Sequence, residues 1–372
     1  MRYILQAFAG PWREARAGAE EIARRVCDAS SRICVDKLIV GWNADGELYE
    51  RLASSLRGSG IGMRLGLPVF SETGGIADPD PALDLWGRRL ETRLDQEGED
   101  FEFLCPSSRR NIGIVKGIYE KYFSGCGFNG VFLDRIRTQS FVVGVPGALS
   151  CGCRSCREAF RRRGVDIGAV RELYDEKRDA FFDMASYPAD GRFALRDEEA
   201  QRFFDAKEEI VSSAVDELCG WFKDRGLAVG LDLFAPFVSR FVGQDYSRIA
   251  GRADFVKPML YRRTDAPAGV GYEYALFQKH APGAKGRAEM KADIPFLRTQ
   301  LEAAKAAGCA VYPGIEICRD GRIARADAGY ITESLKAVKA CGFPGAALCW
   351  DIMRAPREHI DAVAELESRF GA

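Results

Sequence analysis

Eight short apolar runs of strand length recur along this chain, most of them separated by amphipathic segments that end in a glycine-containing turn. That rhythm is the sequence form of repeated βα units, because a strand covered on both faces is apolar throughout and its covering helix is apolar on one side only. The runs are RYILQAFAG (2–10), DKLIVGWN (36–43), GMRLGLPVF (62–70), GVFLDRIR (130–137), LAVGLDLFAP (227–236), DFVKPMLY (254–261), AVYPGIEIC (310–318) and AALCWDIM (346–353). Between them, EARAGAEEIARRVCDAS, KADIPFLRTQLEAAKAAG, DAGYITESLKAVKACG and PREHIDAVAELESRFG carry apolar residues at three- and four-residue spacing, and three of these end at glycine. An open doubly wound sheet uses the same units, but no G-x-G-x-x-G turn follows the first strand, and eight strands suit closure. The expected fold is an α/β (β/α)8 TIM barrel, with residues 1–372 forming one domain.

Two insertions break the rhythm, both leaving the C-terminal ends of strands, where barrel loops shape clefts. Residues 71–105 follow strand three and read as turns, a helical stretch and a short strand, FEFLC. Residues 138–196 follow strand four and form an inserted cysteine-containing subdomain: CGCRSC, a charged helical stretch and the polar turn SYPADGR, before the long helix EEAQRFFDAKEEIVSSAVDELCGWF.

The 53 basic and 54 acidic residues nearly cancel, which leaves no global field to gather nucleic acid or anionic lipid, so neither is an expected partner. The opening MRYILQAFAGPW has no secretory pattern and no apolar run reaches membrane-spanning length; a cytoplasmic protein is expected, with association into a homo-oligomer left open. Twelve cysteines in a chain of this kind read as reduced thiols with a metal site among them. Cys151, Cys153 and Cys156 form C-x-C-x-x-C, and a tetrahedral zinc needs a fourth ligand. Cys105, at the end of FEFLC, is the choice and Cys126 the alternative. The same thiols can also hold an iron–sulfur cluster or remain free, although the radical-enzyme spacing C-x-x-x-C-x-x-C is absent. A structural zinc and no organic cofactor are expected.

Four carboxylates stand at C-terminal strand ends: Asp134, Asp232, Glu316 and Asp351. An acid at the end of an apolar strand enters a partly dry mouth, where it must be paired, hydrogen-bonded or used. Glycoside hydrolysis uses two such groups, one to protonate the leaving oxygen and one to attack or to activate water. Strands four and seven face one another across an eight-stranded mouth, which favours Asp134 as acid/base with Glu316 as nucleophile; Asp232, on the strand next to Asp134, is the rival. Trp42, Tyr261, Trp350 and Trp12 can cover the apolar face of a pyranose. Lys257, Arg135, Arg137 and Arg262 can hold hydroxyls or an acidic substituent, and Asp351 joins Trp350 as a substrate contact. His280 and His359 read as solvated or capped histidines. Motifs for a serine or cysteine triad, a phosphate loop or H-E-x-x-H are absent.

The stretch CPSSRRNIGIVKGIYEKYFSGCGFNGVFLDRIR with the following CGCRSCREAF, and LDLFAPFVSRFVGQDYSRIAGRADFVKPMLYRR, resemble glycoside-hydrolase-like barrels related to families 10 and 42, over roughly residues 100–265. The resemblance to family 42 implies a structural zinc on Cys105, Cys151, Cys153 and Cys156, a carbohydrate substrate, and a retaining layout with its acid/base on strand four and its nucleophile on strand seven. Family 42 has Asn-Glu at the end of strand four where this chain has Asp134 and Arg135, so that acid is not carried over. The function expected is a glycosidase. The alternatives are a lyase or isomerase of a sugar acid, with Lys257 as base and the carboxylates on a divalent metal, and a carbohydrate-binding barrel without catalysis.

Overall fold

The computed structural model describes residues 1–71, 73–94, 99–178, 180–186, 194–281 and 291–370. The barrel strands are β1 (Arg2–Phe8), β2 (Val35–Gly41), β3 (Gly62–Pro68), β4 (Gly130–Asp134), β5 (Ala228–Phe234), β6 (Phe255–Met259), β7 (Ala310–Val311), β8 (Gly314–Glu316) and β9 (Gly345–Cys349). Short β7 and β8 together fill the seventh position, split at Tyr312 and Pro313, because proline has no N–H to give the ladder. Each position pairs in parallel with the next, β6 pairs with β5, β7 and β8, and β9 returns to β1. The sheet is therefore a closed, all-parallel eight-position barrel, and each of the eight apolar runs contributes to it.

Ten helices of eight or more residues are present among the described residues: α1 (Ala19–Ser30), α2 (Gly46–Ser55), α3 (Arg109–Tyr122), α4 (Arg154–Arg161), α5 (Ile167–Glu176), α6 (Glu198–Lys223), α7 (Val270–His280), α8 (Ile294–Ala304), α9 (Ala328–Ala340) and α10 (Arg357–Phe370). Most of their starts follow side-chain capping, while α1 and α7 begin after glycines that supply no cap, Gly18 and Gly269. Asp197 accepts the N–H groups of Glu199 and Ala200 at the head of α6, and Asp327 accepts that of Tyr330 at the head of α9. Close packing of strand ends fixes some glycines: a Cβ on Gly41 would lie 2.2 Å from the Gly66 carbonyl oxygen. Neighbouring strands thus approach tightly just where Trp42 leaves the barrel. No helix among the described residues is long and apolar enough to cross a membrane.

The first insertion departs from expectation. Its ALDLWGRRLETRL stretch is not helical: Asp84 Oδ1 takes the N–H groups of Trp86 (2.9 Å) and Arg88 (2.8 Å) in a turn. Gly87 then adopts φ +84°, and Glu91–Leu94 pairs antiparallel with Glu99–Glu102. A side chain that satisfies local backbone donors, followed by a left-handed glycine, ends the helical alternative before it can nucleate. FEFLC continues this edge, with isolated bridges at Phe103 and Leu104. In the second insertion, α4 begins within CGCRSC, capped by Cys153, α5 follows, and a small antiparallel pair, Met184–Ser186 with Ala194–Leu195, precedes α6. Most of the turn SYPADGR, residues 187–192, lies outside the described residues.

Candidate active site and cysteine centre

At the C-terminal mouth of the barrel lies a cavity of about 240 Å³. Its floor is built from side chains of β1, β4, β5 and β6, and register decides which of them meet. Pro68 on β3 pairs with Asp134 on β4, and Lys257 on β6 pairs with Asp232 on β5. Asp134 and Asp232 each stand one residue beyond the paired Leu133 and Leu231. One row across the barrel floor therefore carries two acids and a lysine, and all three line the cavity.

Asp232 is 4% exposed and Lys257 fully buried. Their ion pair measures 2.9 Å, and Lys257 Nζ also donates to Gln6 Oε1 (3.1 Å) and contacts Tyr261 Oη (2.8 Å). The second oxygen of Asp232, Oδ1, is buried with no hydrogen-bond partner. Burial pushes the Asp232 carboxyl up to about 7, against the pull of Lys257 and with the push of Asp134. Burial alone would lower the Lys257 ammonium, but Asp232 holds it above its ordinary value. Asp134 is half-buried, and its Oδ1 accepts the Arg135 N–H at 2.6 Å.

Trp42, Tyr261, Trp350, Asp351, Arg135 and Arg137 also line the cavity. The guanidinium of Arg135 lies 4.7 Å from the Trp42 ring centre and donates to Ser71 Oγ (3.2 Å). Arg137 sits between the Phe234 and Phe103 rings at 4.1 and 4.5 Å, where burial lowers its pKa to about 10. Asp351 Oδ1 accepts the N–H groups of Phe8 (3.2 Å) and Met353 (3.1 Å), and burial raises its carboxyl.

Asp134 and Glu316 are not brought together. Glu316 is fully buried and absent from the cavity lining, because Tyr330 of α9 and the segment after β6 close over it. Its Oε1 accepts the Arg263 N–H and its Oε2 accepts the Tyr330 O–H, so both oxygens are engaged while burial raises its pKa. Arg262 also points away from the mouth, to Glu333 (2.9 Å) and Ser334 (2.8 Å). Trp12 plugs the loop at Gly74 instead of facing the cavity. His280 stacks on Phe141 at 6.4 Å. His359, expected to be solvated or capped, is fully buried between the Ile317 carbonyl (2.7 Å) and Arg319 (2.8 Å). The residues that sequence reasoning missed are Gln6, whose signal was a lone polar side chain inside RYILQAF, and the rim arginines Arg16, Arg322 and Arg354, which lie outside the regular strand pattern.

The cysteine expectation can be measured directly. The sulfurs of Cys105, Cys151, Cys153 and Cys156 lie within 4.8 Å of one another, with Cys105 Sγ at 3.2 Å from Cys153 and 3.4 Å from Cys156. A tetrahedron with metal–sulfur bonds of about 2.3 Å has edges of about 3.8 Å, so this donor set fits a four-coordinate ion. The N–H groups of Leu83 (3.4 Å) and Cys156 (3.5 Å) point at Cys151 and Cys153, the polarity that thiolates require. Cys126 is buried near Gly46 and does not join the cluster.

Comparison with solved structures agrees with the closed barrel at the level of fold. The PgaB (BpsB) glycoside hydrolase domain from Bordetella bronchiseptica superposes with a TM-score of 0.65 at 14% identity, covering 98% of each chain. Alpha-L-fucosidase isoenzyme 2 from Paenibacillus thiaminolyticus gives 0.58 at 10% identity, over 100% of this chain and 49% of that one. The C-terminal domain of a putative chitinase from Desulfitobacterium hafniense gives 0.52 at 10%, over 99% and 98%. By sequence, no family model and no curated protein matches.

Proposed function

We propose that the protein is a glycoside hydrolase in which Asp232 is the general acid and Asp134 the nucleophile at the anomeric carbon. The observation that carries this reading is the placement of the two carboxyls on adjacent strands, in successive register, within one cavity that also presents Trp42 and Trp350. Their environments differ: burial raises the Asp232 carboxyl to about 7, which lets it keep a proton to give, and the half-buried Asp134 faces the same cavity. As Asp232 delivers its proton to the leaving oxygen, the carboxylate that forms lies beside Lys257, whose charge stabilises it in the transition state. Asp134 attacks, and Asp232 then takes a proton from water in the second step. Glu316 is structural in this scheme, in place of the nucleophile expected from its strand position.

Neighbouring strands lie about 4.8 Å apart, close to the carboxyl separation of about 5–5.5 Å that accompanies retention. The test is a screen of aryl glycosides and oligosaccharides, with the product anomer of any hit read by NMR: retention is expected, and an inverted first product would overturn the assignment of Asp134. The pH profile gives a second check. Asp232 must be protonated to act, so kcat/KM falls as pH rises through about 7; a profile flat from pH 6 to 9 would remove Asp232 from that role.

For the cysteine centre we propose zinc, in the structural role suggested by the family 42 resemblance. Cys105, Cys151, Cys153 and Cys156 would hold it, pinning the second insertion to the segment before α3. One zinc per chain is expected by elemental analysis, with Cys156→Ser losing the metal and lowering the melting temperature; full stability in metal-free protein would contradict this. The remaining parts of the proposal are a cytoplasmic setting, one barrel domain over residues 1–372, and a carbohydrate as the ligand without nucleic acid or membrane as partner.

A further inference from the structure

Lys207 lies on α6, away from the lining of the mouth. It is 1% exposed, and its ammonium donates to two backbone carbonyls, those of Ala148 at 2.6 Å and Phe241 at 2.7 Å. No carboxylate among the described residues stands within ion-pair distance of it. Carbonyl dipoles balance a full charge taken out of water only poorly, so an ammonium held at this depth calls for negative charge nearby. Burial pulls the Lys207 ammonium down to about 7, and the groups that pull it back up are Cys151 and Cys156 first, then Glu208. Glu208 also faces Arg240, at 3.5 Å.

Packing holds Lys207 on the side of the cysteines. Ala148 closes the short helix Val145–Ala148, just before Cys151. Cys156 is carried by α4, and Phe160, one turn further along that helix, stacks on Phe203 of α6 with ring centres 5.0 Å apart. Phe203 and Lys207 are one turn apart on α6, so the helix face that packs against α4 also carries Lys207. The centre beside it needs a cation. Cysteine binds metal as the thiolate, and four thiolates around a divalent ion leave negative charge in excess, here in a cluster where Cys105, Cys151 and Cys156 are buried. The N–H groups of Leu83 and Cys156 bring only partial charges to it.

We propose that Lys207 is the counter-cation of the cysteine centre, its positive charge stabilising a divalent metal held by the four thiolates. The proposal rests on the reading of the four cysteines as a metal centre and gives that centre its charge partner. Lys207 acts through the sulfurs without touching the metal, as a positioning residue.

The test is the zinc affinity of the reduced 372-residue chain, followed by competition with a chromogenic chelator. Lys207→Gln keeps an N–H donor for the carbonyls and removes the charge; zinc should bind it about 10–100-fold more weakly, the usual effect of losing an outer partner of a metal ligand. Lys207→Arg, which keeps the charge, should restore most of the affinity. In the cobalt(II) form of Lys207→Gln, the sulfur-to-metal charge-transfer band should move to longer wavelength, because a nearby cation lowers the energy of the sulfur electrons. Bonds to two carbonyls alone would not move that band. Lys207→Met gives the same two readings should the glutamine variant not fold. Weaker binding with an unmoved band would overturn the proposal. Zinc bound equally well by wild type and Lys207→Gln would also overturn it while keeping the metal reading, whereas a wild-type chain that takes up no zinc would defeat both.

Discussion

Asp232→Asn and Asp134→Asn should each lower kcat on a cleaved glycoside by on the order of 10²–10⁴-fold, the usual worth of a positioned proton donor or its partner, whereas Glu316→Gln should show no comparable catalytic loss. Both asparagines keep the shape of the acid they replace, so the loss reports chemistry more than packing. The two variants differ in their remedies. With Asp232→Asn, substrates whose leaving groups need no protonation, such as activated aryl glycosides, should recover much of the first step. With Asp134→Asn they should not, because the attacking oxygen itself is missing. Glu316→Gln keeps an oxygen for the Arg263 N–H and gives up one acceptor for the Tyr330 hydroxyl, so its effect belongs to stability. Rates measured side by side decide the matter: if Asp134→Asn and Asp232→Asn both retain wild-type turnover, the two acids are not the catalytic pair.

The second large effect is on folding. Lys257→Met should destabilise the protein by about 3–5 kcal/mol near neutral pH and above, the cost of leaving one half of a buried ion pair without its partner. The pH dependence distinguishes this from a simple packing defect. In the wild type, Asp232 has a folded pKa of about 7, above its ordinary 3.8, so folding favours its protonated form. That contribution is complete at low pH and is lost as pH rises through about 7. Without Lys257 the anion is worse off, so the deficit of the variant should widen between pH 5 and pH 8. Adding Asp232→Asn should remove most of the widening. Denaturation curves at the two pH values check this, and a deficit independent of pH would show that the pair is not what holds the site.

How much of this was legible beforehand differs from element to element. The barrel was, because strands covered on both faces are mostly apolar and several of the eight runs are apolar on both faces. The split of the seventh strand was written in Pro313 but is visible only once the ladder is drawn. The helical stretch expected within 71–105 failed at 84–88 because local turn bonds from Asp84 and the positive φ of Gly87 outweighed periodicity. For the cysteine cluster, C-x-C-x-x-C and the position of Cys105 sufficed, since short spacing constrains geometry whatever the surroundings. Glu316 shows what strand position cannot supply: it gives the height of a side chain in the barrel but not what closes over it, and Tyr330 and Arg263 come from separate segments. The meeting of Asp232 with Lys257 depends on register between β5 and β6, which apolar runs do not specify.

The central claim is that Asp134 provides the attacking oxygen beside Asp232 in one cavity, and trapping the covalent intermediate tests it most directly. Once a cleaved glycoside is known, its 2-deoxy-2-fluoro counterpart with an activated leaving group should accumulate one glycosyl group per chain, located by peptide mass mapping on Asp134. A label on Glu316 or any other carboxylate, or turnover with no covalent adduct and an inverted product, would contradict it.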